Sequence, residues 1–104
     1  MNTDKEKATL FIFQVFFRQE MNRMKTEENE RLGIRVHKPL IGVTMKYLKA
    51  RANHVHRVTL WRSLKGLEAS GLLVLDGKTW LPSEAMRKTL RGMINDAREW
   101  SEIV

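Results

Sequence analysis

The chain has 104 residues and no cysteine, and its 19 Lys and Arg against 12 Asp and Glu leave a formal charge of +7. That length suits one domain whose core stands without covalent staples, and a hydrophobic content of 42% excludes a disordered chain. The missing cysteines exclude a disulfide framework, a thiolate zinc site and a cysteine nucleophile, and they fit a reducing, cytoplasmic setting.

In chain order, Thr3 followed by Glu6 fits a capping box that opens a helix within residues 1–31. Leu10, Phe13, Phe17, Met21 and Met24 recur at helical spacing, and Phe11, Ile12, Val15 and Phe16 widen the apolar arc. The run Leu10–Phe17 is eight residues interrupted by Gln14, too short to span a bilayer, and Asp4 and Glu6 beside Lys5 and Lys7 do not read as a secretory signal. So apolar a helix serves as a central core element, as a dimer interface or on a membrane surface. Glu27, Glu28 and Glu30 mark its solvated end, and Gly33 breaks it.

Ile34 and Val36 alternate with Arg35 and His37, a pattern for a short strand or an extended linker. Pro39 suits the first turn of a second helix with Ile41, Met45 and Leu48 on one face. Asn53-His54 supplies turn chemistry. A third helix is expected over 57–69, burying Leu60, Leu64 and Leu67 and ending at Gly71 in a left-handed cap. Leu72–Leu75, Asp76-Gly77 and Lys78–Leu81 then read as a hairpin with a two-residue type I′ turn. Pro82 and Ser83 end that strand and cap a last helix, over 83–101, striped by Met86, Leu90, Met93, Ile94, Ala97 and Trp100.

The charge is segregated along this order. Between Arg31 and Leu67 there are nine cations, all three histidines and no acid. Everything outside that window, with ten cations and twelve acids, is net −2. A concentrated basic surface is what a polyanion-binding face requires.

Two helices joined by a tight turn and followed at once by a hairpin form the order of a winged helix-turn-helix. On the third helix, stepping 100° per residue from Leu60 keeps Leu64 and Leu67 within about 40° of it. Arg62 falls at about 200° and Lys65 at about 140°, opposite the leucines, with Val58 and Ala69 between them and Trp61 and Thr59 at the flanks.

The stretch Thr59–Leu73, TLWRSLKGLEASGLL, resembles the recognition helix and first wing strand of winged-helix regulators of the PadR and MarR type. Their pattern is close to T-[LV]-x-x-x-L-x-x-L-E-x-x-G-L-[LIV], with an aromatic favoured where Trp61 stands. The resemblance covers Gly42 to Leu90, about half the chain. It departs at Gly66, inside the helix, and at the hairpin tip, where Lys78 is the lone cation. It implies a mostly α fold with a small β-hairpin wing, one winged-helix domain over 1–104 with the helix-turn-helix and wing in 39–81. It also implies a sequence-specific double-stranded DNA-binding protein, a transcriptional regulator and homodimer, paired through the first or last helix.

Carried onto this chain, the resemblance turns Arg57, Thr59, Trp61, Arg62 and Lys65 toward DNA. Arg62 suits a base edge, because a guanidinium pairs bidentately with guanine. Thr59, Lys65, Lys46 and Lys49 suit phosphates, and Lys78 is the hairpin's one residue expected at DNA. Trp61 either packs into the domain or touches sugar and thymine methyl groups. The competing functions are a protein–protein assembly module and an RNA or single-strand binder stacking bases on Trp61. His54-Val55-His56 invites a metal, but no Cys, Asp or Glu stands near in sequence to complete a ligand set, so no metal or other cofactor is expected. Neither a phosphate-cradling glycine loop nor a nucleophile with its base is visible, so an enzyme is not expected, and no small-molecule ligand is evident.

Overall fold

The computed structural model describes residues 4–103, with side chains described for 4–100. Thr3, the expected capping residue, lies outside that range. The element order is α1 (Asp4–Arg31), β1 (Val43–Thr44), α2 (Met45–Arg51), α3 (Arg57–Ala69), β2 (Leu73–Asp76), β3 (Thr79–Pro82) and α4 (Glu84–Ile103). The fold is mostly helical with a small three-stranded antiparallel sheet in the order β1-β3-β2.

Helix α1 runs through the middle and packs on both α3 and α4. Its buried side is Ala8, Ile12, Val15 and Phe16, continued by the polar Gln19 and Glu20. This corrects the expected phase: Leu10 and Met21 are exposed. The run Leu10–Phe17 is apolar nearly all round and sets no phase of its own, and distant polar partners of Gln19 and Glu20 fix it. Facing it, α3 buries Leu60, Leu64 and Leu67 as expected, and Ser63 Oγ donates to the Lys5 carbonyl at 3.3 Å. Val43, Leu48, Leu73, Trp80, Met86 and Leu90 complete the same core.

Pro39 does not start a helix. Residues 34–41 are extended or irregular, and α2 begins only at Met45, capped by Thr44, whose Oγ1 accepts the Tyr47 N–H at 3.1 Å. The reason lies at Gly42, whose φ of +87° interrupts a right-handed helix. A side-chain methyl at Gly42 would come within 2.9 Å of the Trp80 carbonyl oxygen and closer still to Leu81 and Thr79, so only glycine lets β1 approach β3. The pairing aligns Val43 with Trp80 and Thr44 with Thr79.

Gly71 ends α3 with φ +77°; its N–H bonds the Glu68 carbonyl, and the Leu72 N–H the Leu67 carbonyl, closing the left-handed cap. The hairpin turn is shifted by one residue from the expected Asp76-Gly77. Asp76 pairs with Thr79, which leaves Gly77 and Lys78 as the turn residues. A type I′ turn needs positive φ at both; Gly77 has φ +63° and no non-glycine described residue has positive φ, so the turn is of the glycine-first kind. Ser83 Oγ accepts the Met86 N–H at 3.2 Å and caps α4. Of the expected α4 stripe, Met86, Leu90 and Ile94 are buried, whereas Met93 and Trp100 are 54% and 69% exposed.

Candidate nucleic-acid interface

Helix α3 follows from its sequence. Its leucine seam is buried on α1, which forces Val58, Arg62, Lys65 and Ala69 outward, all four exposed. Trp61 stands at the edge of that face, 51% exposed, on the side of the hairpin. Lys46 from α2, Arg57 and Trp61 from α3 and Lys78 from the turn line one groove of about 570 Å³, floored by Met45, Leu75 and Trp80. Among the described residues, no carboxylate lines it. Lys46 and Arg57 also border a second depression, of about 520 Å³, with Lys49.

The other expected contacts are arranged differently. Lys49 turns back: its ammonium donates to the Asn53 and Val55 carbonyls at 2.9 and 2.6 Å and so closes the turn between α2 and α3. Lys65 pairs with Glu68 at 2.9 Å and sits 5.8 and 6.0 Å from the ring centres of Trp61 and Trp80. Its charge is therefore partly answered within the helix. Thr59 lies away from the groove, in a small recess with Asp4, Lys7, His54 and His56. Arg62 projects from the outer face with no hydrogen bond or ion pair among the described residues.

One histidine of the turn has a local role. His56 is the N-cap of α3, and its Nδ1 accepts the Val58 N–H at 3.1 Å. That bond requires a lone pair on Nδ1, which places the ring proton of the neutral form on Nε2. No group of three or more His, Asp or Glu able to hold a metal occurs among the described residues.

Sequence reasoning missed Met45 and Leu75 as part of the groove. Both are apolar residues that read as core in the sequence; Met45 is half-buried against the core and Leu75 is exposed, and both line the groove beside Trp61.

The chain matches no family model, no curated protein and no solved structure. Among the described residues, no helix is long and apolar enough to cross a membrane.

Proposed function

We propose that the chain is a winged helix-turn-helix protein that binds double-stranded DNA sequence-specifically and regulates transcription in the cytoplasm, with α3 in the major groove. In this reading α2 and α3 are the helix-turn-helix and the β2–β3 hairpin is the wing. The observation that carries it is the two-sidedness of α3, leucines inward and Val58, Arg62, Lys65 and Ala69 outward, beside a groove rimmed by Lys46, Arg57 and Lys78 with no acid among the described residues. Arg62, whose donors meet no partner among the described residues, reads a base edge; Lys46, Arg57 and Lys78 hold phosphates. Lys49 and Thr59 act indirectly, through the turn and the helix start. A homodimer paired through α4 accounts for the exposed Met93 and Trp100.

A second reading rests on Trp61, whose half-exposed indole beside cations also suits stacking on an unpaired base. One competition titration separates the two, together with the assembly-module reading. Labelled duplex DNA, single-stranded DNA and RNA of the same sequence are offered in turn at two salt concentrations. Preference for duplex supports the first reading, preference for a single strand the second, and indifference to all three leaves protein–protein assembly.

A further inference from the structure

Helix α1 carries two faces of opposite character. Toward α4 it presents the carboxylates Glu20 and Glu27, both engaged by arginines. On another side, Phe11, Gln14, Arg18, Asn22, Lys25 and Asn29 follow one another at spacings of three and four, a single stripe about 27 Å long at 1.5 Å per residue. The extended segment 34–41 and α2 run beside this stripe and enclose a half-open cleft of about 650 Å³.

The chemistry of the cleft is one-sided. Arg18 and Lys25 enter from α1, His37 and Lys38 from the segment 34–41 and Arg51 from α2, and no carboxylate among the described residues lines it. None of these five side chains has a hydrogen bond or ion pair with any described residue. The Arg51 guanidinium lies 3.8 Å above the Tyr47 ring, a stack that fixes its plane and leaves its N–H edge free to donate. Gln14, Asn22 and Asn29 add amides that both donate and accept, and Phe11 adds an apolar wall.

Several cations converging on one cleft repel one another until an anion of more than one charge joins them. The volume is that of a small-molecule site, and mixed amides with an apolar wall suit a sugar and a base better than a bare ion. We propose that this cleft binds a nucleoside polyphosphate, its phosphates held by Arg18, Lys25, Lys38 and Arg51.

The cleft and the groove at α3 share no lining residue among those described, so this proposal does not rest on DNA binding. On α2, Tyr47 and Arg51 face the cleft while Lys46 and Lys49 face the other way. A ligand drawn in against Arg51 would therefore act on the same short helix that carries Lys46.

The test is calorimetric titration of the full chain with ATP, with adenosine as the uncharged control. The expected result is one saturable site for ATP and none for adenosine. Arg18→Ala and Arg51→Ala, checked for an unchanged melting temperature, should each weaken it about tenfold or more, the scale of a charge-assisted hydrogen bond. Arg62→Ala should leave it unchanged. No saturable ATP binding overturns the proposal. So does a loss through Arg62→Ala as large as through Arg18→Ala, which would mean attraction to the basic surface at large. Capture by Arg18 and Arg51 of a short single-stranded oligonucleotide but not of ATP overturns it in favour of a strand-binding groove.

Discussion

The side-chain amide of Gln19 pairs with both backbone groups of Gly42: its Nε2 donates to the Gly42 carbonyl and its Oε1 accepts the Gly42 N–H, each at 2.9 Å. Both residues are buried. This pair ties α1 to the point where the chain enters β1, just ahead of the α2–α3 unit that carries the proposed DNA face. Gln19→Leu should therefore cost about 2–4 kcal/mol, because it strands two buried backbone groups. Gly42→Ala should cost a similar amount by forcing a methyl into β3 at a positive φ. Urea unfolding of the two variants checks both figures, and losses under about 0.5 kcal/mol would contradict this role for the pair.

Glu20, 2% exposed, is held by two arginines of α4, Arg91 at 2.7 Å and Arg87 at 3.2 Å. Removing either arginine leaves the other to answer the buried carboxylate. Arg87→Ala and Arg91→Ala should each be tolerated at about 1–2 kcal/mol, whereas the double variant should lose more than their sum, approaching the 3–5 kcal/mol or so of an orphaned buried charge on top of lost packing. A double-mutant cycle by urea melts measures the excess, and strict additivity would show that the arginines do not share Glu20.

Arg91 also reaches Glu27 at 2.8 Å, and that hydrogen bond holds the Glu27 carboxyl below its ordinary value of 4.5. A depressed carboxylate favours the folded state above its ordinary value and loses that contribution as pH falls through the lower folded value. The stability difference between wild type and Glu27→Gln should thus be constant near neutrality and shrink below about pH 4.5. Melts along an acid series read it; a difference independent of pH would contradict the assignment.

His56 caps α3 through Nδ1. His56→Ala should cost about 0.5–2 kcal/mol, the range for a lost N-cap, while His56→Ser should restore most of it. Thermal melts of both variants decide this. If serine is as damaging as alanine, the imidazole does something other than accept the Val58 N–H.

How much of this was legible in the sequence depended on how local the determining contact was. The α3 leucine seam, the Gly71 cap and the Ser83 cap are set by residues within a turn of one another, and each stands where spacing put it. The phase of α1 is set by Gly42, 23 residues away, and by Arg87 and Arg91, 67 and 71 residues from Glu20. An almost all-round apolar run carries no trace of such partners. Strand β1, two residues long, has no period to read, so the start of α2 was misplaced onto Pro39. At the candidate site, the basic window pointed to Lys46 and Arg57, and the winged-helix resemblance to Trp61 and Lys78; the four gather at one groove. Neither could show that Lys49 bends back to the turn or that Lys65 is paired with Glu68, because those are choices among rotamers.

The central claim is that the outer face of α3 and the cations beside it engage duplex DNA. Fluorescence anisotropy of a labelled duplex across a salt series tests it most directly, with wild type, Lys46→Ala, Arg57→Ala and Arg62→Ala compared. Wild-type affinity should fall log-linearly with salt, with a slope near −0.9 per phosphate contacted, and Lys46→Ala and Arg57→Ala should each flatten that slope by about one unit. Arg62→Ala should cost about 1–3 kcal/mol on a selected sequence and much less on a random one. A wild-type affinity that ignores salt, or a slope that none of the three substitutions changes, would contradict the claim.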